Sequence, residues 1–127
     1  MTKIISSCPH FLVADVASAL RYYESALGFS DANPFGDPPG FAMPRRDNHI
    51  VMLNLSEGYE IRPNGNHDLW DAYFWCTDVD ALFEEFRSNA ATIAHEPINR
   101  PLYGMREIAV KDLDGYMLVF AQDIDGG

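Results

Sequence analysis

Residues 103–121 read YGMREIAVKDLDGYMLVFA and predict two β-strands joined by a tight turn. Ile108 and Val110 alternate with more polar neighbours, which is the period of a strand with one buried face. The Asp-rich segment 112–115 ends in glycine, and both residue types are typical of turns. A second apolar run of strand length, 117–121, follows the turn. We therefore predict a β-hairpin in this part of the chain.

Length and composition predict one globular domain, 1–127. The 127 residues are 47% hydrophobic and 22% charged, and a chain of this size buries enough surface for a core. The formal net charge of −10 argues against a nucleic-acid partner, because Lys and Arg are not in excess, and is compatible with a cationic ligand. No apolar run is long enough for a membrane span, and 1–13 lacks the pattern of a signal peptide. We expect a cytoplasmic protein without a membrane partner.

The two cysteines, Cys8 and Cys76, both fall in strand-like runs. Neither belongs to a C-x-x-C motif, which would indicate a metal or redox site. We therefore predict two reduced, small, buried residues rather than a disulfide.

An internal repeat divides the chain into two halves. Each half begins with a strand that ends in an aspartate, Asp15 or Asp78, and this residue caps a helix. Apolar residues follow at matching helical positions, and three strand-like runs follow each helix. The matching pairs are Ala19 and Leu82, Leu20 and Phe83, and Tyr23 and Phe86. We predict an α+β fold of two βαβββ repeats, about 3–56 and 72–122, joined by a linker, about 57–71.

The predicted elements leave one face of each sheet without a helix. In chain order, the prediction begins with a strand at 3–14, a helix at 16–27 that ends at Gly28, and strands at 32–35, 41–45, 49–55 and 72–77. A helix after Asp78, a strand at 92–98 and the hairpin follow. One helix per repeat covers only one face of its sheet, so the other face needs a partner. We expect a curved mixed sheet with the helices outside and a concave groove, which is a natural ligand pocket.

Strand parity predicts which side chains line this groove. Phe74 repeats Phe11 and is assigned to the helix side, so Tyr73 and Trp75 face the groove. The candidate ligand-binding residues are His10, Asp71, Tyr73, Trp75, Tyr103, Glu107 and Met117. Aromatic walls with one or two carboxylates suit a flat, cationic aromatic molecule held by stacking and charge. The alternative is that the aromatic residues fill a dimer or inter-repeat core.

Three motifs carry a family resemblance across nearly the whole chain. They are Asp15-Val16-x-x-Ala19-Leu20-x-x-Tyr23-x-x-x-Leu27-Gly28-Phe29, Tyr103-Gly104-Met105-Arg106-Glu107 and Asp112-x-Asp114-Gly115-x-x-Leu118-Val119-Phe120. The chain resembles the vicinal oxygen chelate superfamily of glyoxalases, bleomycin-resistance proteins and extradiol dioxygenases. Within it, the bleomycin-resistance branch is the most similar. The resemblance implies a homodimer with small-molecule grooves at its interface and a role in antibiotic resistance.

The resemblance also implies a metal site in the enzymatic members, built from His, Glu or Gln. The positions it assigns to these ligands hold Cys8, Asp71 and Val119 here, and Met52 or Asn54 lies near the fourth. A valine has no atom that can bind a metal, so the usual ligand set is broken. We therefore expect no metal and no other cofactor.

Three hypotheses for function follow. The first is a protein that binds a small molecule without chemistry. The second is a metal-dependent lyase or dioxygenase with unusual ligands, His10, Asp71 and Glu107. The third is a structural or regulatory partner whose groove is filled by its own side chains. Enzymatic activity stays open and no catalytic residue is assigned. The histidines, His10, His49, His67 and His95, are more typical of hydrogen-bonded surface residues than of ligands.

Overall fold

Two α-helices and nine β-strands form the α+β fold in a computed structural model that describes residues 1–64 and 69–125. In chain order they are β1 (His10–Val13), α1 (Val16–Ser25), β2 (Phe41–Ala42), β3 (Arg45–Arg46), β4 (His49–Ile50), β5 (Met52–Leu55), β6 (Ala72–Trp75), α2 (Val79–Ser88), β7 (Thr92–Arg100), β8 (Met105–Lys111) and β9 (Met117–Asp123). The predicted fold class is confirmed. Over the described residues, neither helix has the length and apolar character needed to span a membrane.

The strands form three sheets, with orders β1-β5-β2, β3-β4 and β6-β9-β8-β7. In each half, the first strand runs parallel to the last. Phe11 of β1 lies opposite Leu53 of β5, and Phe74 of β6 lies opposite Phe120 of β9. The two halves therefore pair their first and last strands in the same way, which is consistent with the predicted repeat. In each half the first strand, β1 or β6, lies at the edge of its sheet.

Aspartates begin both helices, as the sequence predicted. Asp15 accepts a hydrogen bond from the backbone N–H of Ser18, and Asp78 accepts one from that of Ala81. These side chains satisfy N–H groups that have no partner inside the helix. Helix α1 ends before the predicted boundary, and Gly28 follows it with a φ of +75°. Any side chain at this glycine would also meet the guanidinium of Arg46, 2.8 Å from the position of its Cβ.

Several strands differ from the prediction where prolines interrupt the pattern. Of the predicted strand 3–14, only His10–Val13 is regular, because Pro9 has no N–H for a ladder. The predicted strand at 32–35 is absent, and Phe35 makes a single bridge to Phe41. The predicted strand 41–45 is divided at Pro44, whose carbonyl accepts the N–H of Val51. That hydrogen bond also divides 49–55 into β4 and β5.

The helix-side faces of both halves pack into one hydrophobic core. Phe11 stacks on Tyr116 with 4.1 Å between ring centroids, and Phe74 stacks on Phe120 at 4.9 Å. Ile108 belongs to the same core, so the predicted strand parity is confirmed for β6 and β8. The opposite side of the four-stranded sheet, which we call the open face, carries Tyr73, Ala94, Ala109, Met117 and Val119.

The cysteine prediction is correct for the oxidation state and wrong for burial. Cys8 and Cys76 are both free, but Cys8 is exposed and Cys76 is half-buried. Cys8 lies before β1, in the segment that forms no strand, and Cys76 follows the last residue of β6. Burial nevertheless raises the pKa of the Cys76 thiol, which makes it less reactive.

Candidate functional site

Glu107 on β8 is the centre of the candidate site. Its side chain is completely buried, and it accepts hydrogen bonds from three neighbours. The hydroxyl of Tyr73 lies 2.6 Å and that of Tyr103 2.9 Å from Oε2, and Nε of Arg100 lies 3.2 Å from Oε1. A buried carboxylate is costly unless its oxygens are paired in this way. Glu107 therefore holds its neighbours in place, and it offers no exposed oxygen to a ligand.

The two tyrosines are neutral hydrogen-bond donors in this cluster. Burial, and then the hydrogen bond to Glu107, raises the pKa of Tyr73 well above its ordinary value. The same causes raise the pKa of Tyr103, and the charge of Arg100 opposes them. Loss of either hydroxyl proton would place two negative charges side by side, which explains the direction of both shifts.

Beside this cluster, the rings of Trp70, Tyr73 and Trp75 form a line that we call the aromatic row. Tyr73 lies in its middle, with its ring centroid 5.2 Å from that of Trp70 and 5.0 Å from that of Trp75. Trp75 is 70% exposed and Trp70 is 38% exposed, so the ends of the row are open to solvent. Such rings can stack on a flat ligand and attract a cation.

A cavity of about 440 Å³ opens at one end of the aromatic row. It is lined by Trp70, Asn99, Arg100, Pro101, Leu102 and Tyr103. A second cavity of about 520 Å³ lies beyond Trp75, between β6, α2 and the β3–β4 hairpin. This second cavity lies on the helix side of the sheet, where Phe74 and Phe120 line it, and it shares only Trp75 with the row.

Asp71 stands beside the aromatic row but is fully used by the backbone. Its Oδ1 accepts the N–H of Asn64 and its Oδ2 accepts the N–H of Met117, each at 2.8 Å. The side chain of Asn64 in turn donates to the carbonyl of Trp70 at 2.6 Å. Asp71 therefore ties the linker to β9 and positions the start of the aromatic row.

The structure brings together six of the seven candidate residues. Tyr73, Trp75, Tyr103 and Glu107 are in contact through their side chains, Met117 packs in one cluster with Tyr73, and Asp71 bonds to the N–H of Met117. His10 lies on β1 in the separate three-stranded sheet, with its Nε2 3.3 Å from Nδ2 of Asn54. Of the other histidines, His95 contacts the carbonyl of Glu96, His49 lies on β4, and His67 is outside the described residues.

Two residues of the site were not identified from the sequence. Trp70 lies in the linker, where strand parity gives no direction, and Arg100 ends β7 just before a turn. Arg100 could have been identified from the sequence because it lies close in the chain to the motif that begins at Tyr103. No pattern in the sequence pointed to Trp70.

The residues at the metal-ligand positions do not fit a metal. Cys8 is exposed ahead of β1, both oxygens of Asp71 bond to backbone N–H groups, and Val119 is apolar. Across 1–64 and 69–125, no three His, Cys, Asp or Glu side chains are grouped closely enough to hold an ion. The alternative trio is also dispersed, because His10 contacts Asn54 while Glu107 bonds to tyrosines and an arginine.

Solved structures with this fold include several proteins of related description. The bleomycin-binding protein of Streptomyces verticillus, solved with copper(II)-bleomycin, is 25% identical, with a TM-score of 0.70 over 94% of this chain and 97% of that chain. TioX from Micromonospora sp. ML1 is 24% identical, with a TM-score of 0.71 over 91% and 96%. A glyoxalase-related enzyme from Clostridium phytofermentans is 18% identical, with a TM-score of 0.76 over 97% and 98%.

No protein with a curated description matches the sequence. A family model described as Glyoxalase/Bleomycin resistance protein/Dioxygenase superfamily matches residues 8–120, which is most of the chain. The match includes all residues of the candidate site. The chain therefore belongs to the glyoxalase/bleomycin resistance protein/dioxygenase superfamily.

Proposed function

We propose that this protein binds a small, flat, cationic aromatic molecule at the aromatic row, without metal chemistry. The observation that carries the proposal is the row itself, with Tyr73 between Trp70 and Trp75 and bonded to the buried Glu107. The rings are inclined by 50° and 64° to one another, so a planar ligand can stack on one exposed ring face while a neighbouring ring contacts its edge.

The preference for a cation follows from the rings rather than from a free carboxylate. The hydroxyl of Tyr73 donates to Glu107, which places negative charge at the edge of its ring. The exposed faces of aromatic rings attract cations, and tryptophan does so best. Arg100 balances the charge of Glu107 locally, while the net charge of −10 favours the approach of a cation from solution.

The relation to known proteins supports binding as the activity. The bleomycin-binding protein, 25% identical over nearly its whole length, was solved with copper(II)-bleomycin. We infer that this chain sequesters a ligand of comparable chemistry, an antibiotic among the candidates. The metal-dependent alternative has no donor set among the described residues to support it.

We also propose that the protein works as a homodimer whose interface completes the groove. The aromatic row is open on one side within a single chain, because Trp75 is 70% exposed and Tyr103 is 46% exposed. Exposed aromatic residues of this kind are enriched at the centres of protein interfaces. The edge position of β6 places Trp75 where a second chain can approach.

The test uses the two tryptophans of the chain, which both belong to the aromatic row. Titration with 9-aminoacridine, a planar cation, is expected to quench their fluorescence at lower concentrations than acridine, which is neutral at neutral pH. Trp75→Ala should weaken the binding of 9-aminoacridine about tenfold, because a stacking and cation–π surface is lost. Calorimetry gives the affinities independently of fluorescence.

The matched control is Tyr59→Ala, which removes an aromatic residue of similar exposure, 74%, outside the row. Its affinity for 9-aminoacridine should equal that of the unmodified protein. Equal affinity for acridine and 9-aminoacridine would reject the preference for a cation. Failure of both compounds to bind would reject the aromatic row as a ligand site.

A further inference from the structure

The cavity of about 440 Å³ at the β7–β8 turn carries a positive charge that the aromatic row does not have. Its lining combines the rings of Trp70 and Tyr103 with apolar Leu102 and a single charged residue, Arg100. Among the described residues, 1–64 and 69–125, no acidic side chain lines it. In a chain with a net charge of −10, a cavity whose one charge is positive is suited to a different chemical group from the rest of the site.

Arg100 differs from two ion-paired arginines of similar exposure, Arg46 and Arg106, in how it uses its guanidinium. Arg46 contacts both oxygens of Glu85 through Nη1 and Nη2. Arg106 contacts both oxygens of Asp80 through Nε and Nη2, and its Nη1 donates to Asn99. Both of these arginines therefore have their forks occupied by protein groups.

Arg100 donates through Nε to one oxygen of Glu107 at 3.2 Å, and its side chain also lies close enough to the hydroxyl of Tyr103 to oppose the rise in the pKa of that group. Among residues 1–64 and 69–125, neither Nη of Arg100 donates to a carboxylate. The side chain is 33% exposed, so these two groups are accessible from the cavity. Two parallel N–H groups on a planar guanidinium match the two oxygens of a carboxylate or a phosphate.

Glu107 also prepares Arg100 for such a role. The carboxylate is buried and bonded to two tyrosines, so its contact with Nε restricts the guanidinium before any ligand arrives. A side chain that is already ordered loses less entropy on binding. Trp70 and Tyr103, on the walls of the same cavity, can contact the ring of a ligand whose acidic group reaches Arg100.

We propose that this cavity is a subsite for the acidic group, a carboxylate or a phosphate, of an aromatic ligand, and that Arg100 binds it through its two Nη groups. The inference rests on the proposed function, because it assigns a second group to the ligand of the aromatic row. It makes that ligand amphoteric, with a cationic ring system and an acidic substituent.

The first test uses the unmodified protein and a matched pair of probes, 2-naphthoate and 2-naphthamide. They share one ring system and differ in the charge of one substituent. Calorimetric titration should show about tenfold tighter binding of the carboxylate, because hydrogen bonds between charged groups are the stronger ones. The advantage should decrease as salt is added.

The second test is Arg100→Lys, which keeps a positive charge beside Glu107 and removes the two-pronged donor. The ratio of the two affinities should fall from about tenfold to less than about threefold. A variant that weakens the binding of both probes equally leaves this ratio of affinities unchanged, so the ratio reports only the preference for the carboxylate. Arg62→Lys, in an exposed ion pair with Glu60, is the control and should leave the ratio unchanged.

The outcomes separate this inference from the proposed function. Equal affinities for naphthoate and naphthamide, together with binding of 9-aminoacridine, would overturn the acidic subsite and leave the proposed function standing. A ratio that Arg100→Lys does not change would also overturn the subsite. Failure of all three probes to bind would overturn the proposed function as well.

Discussion

Glu107 accepts hydrogen bonds from residues that are far apart in the chain. Tyr73 lies on β6, Arg100 ends β7 and Tyr103 belongs to the following turn. Because a buried carboxylate needs all its partners, one charge fixes the positions of three side chains. This arrangement exists before a ligand binds, so less of the binding energy is lost in ordering the groove.

Asp112 is the second buried acid, at the turn between β8 and β9. Its Oδ2 accepts the hydroxyl of Tyr23 at 2.8 Å, and its Oδ1 accepts the N–H groups of Asp114 and Tyr116. Burial raises the pKa of Asp112 to about 6, although these hydrogen bonds lower it. Tyr23 responds in the same direction, because burial and the adjacent carboxylate raise its pKa.

This shift predicts a pH dependence of stability. The folded state binds a proton at Asp112 below about pH 6, whereas the unfolded chain does so near the ordinary value of 3.8. The contribution of Asp112 to the free energy of unfolding should therefore rise by about 2 kcal/mol as the pH falls from about 7 to about 4. Denaturant unfolding of the wild type and Asp112→Asn at both pH values measures the difference.

The asparagine variant keeps an oxygen for the two N–H groups and cannot ionise. Subtracting its stability from that of the wild type removes the contributions of other acids, which are the same in both proteins. Leu113→Ala, at a 56% exposed residue of the same turn that carries no ionisable group, is the control and should show a constant difference. Parallel curves for wild type and Asp112→Asn would contradict the prediction.

At the scale of elements, Arg46 connects the β3–β4 hairpin of the first half to α2 of the second. It donates to both oxygens of Glu85, at 2.6 and 2.9 Å, and to the carbonyl of Leu27 at 2.9 Å. The hydrogen bond to Glu85 raises the pKa of Arg46, and the pair lowers the pKa of Glu85. The guanidinium also lies 6.0 Å from the ring centroid of Phe86.

We predict a measurable coupling between Arg46 and Glu85. A double-mutant cycle of Arg46→Ala and Glu85→Ala should give about 1 kcal/mol, after allowance for the partial exposure of both side chains. The pair Arg87 and Glu84, on the same helix, is the matched control. Its coupling should lie within experimental error, because both side chains are more exposed to solvent. Equal couplings for the two pairs would show that Arg46 does not join the halves.

In the whole molecule, the two sides of the four-stranded sheet differ. One side belongs to the core that joins the two halves, and the other side, the open face, carries the aromatic row. The core joins the helix-side faces of both halves, so each half completes the other within one chain. The aromatic row lies on the other side of the four-stranded sheet, with Trp75 exposed at its edge. A large exposed aromatic surface of this kind is typical of an interaction site.

The proposed homodimer predicts a mass in solution of twice the 14.3 kDa of one chain. Sedimentation analysis over a range of concentrations measures it. Trp75→Glu should shift the equilibrium toward single chains, because it places a charge in the interface. Leu113→Glu, at the tip of the β8–β9 turn and 56% exposed, should not. A single-chain mass at every concentration, or equal dissociation by both variants, would contradict the proposal.

Much of the fold followed from local patterns in the sequence. The capping aspartates Asp15 and Asp78, the turn before Gly115 and the alternation around Ile108 each depend on residues close together in the chain. Prediction was less successful for strands whose formation depends on pairing with distant segments of the chain. The segment before His10 has the composition of a strand, but its one backbone hydrogen bond to a described strand is from the N–H of Met52 to the carbonyl of Pro9.

The sequence by itself determined the α+β class, the helix caps, the hairpin and the sides of β6 and β8 that pack in the core. It also supplied six of the residues that lie together at the site. Only the tertiary structure decided that Asp71 bonds to the backbone, that Trp70 joins the aromatic row and that Arg100 faces a cavity. The physical reason is that local periodicity depends on neighbours in the chain, whereas hydrogen-bond partners and cavity walls come from segments that meet only on folding.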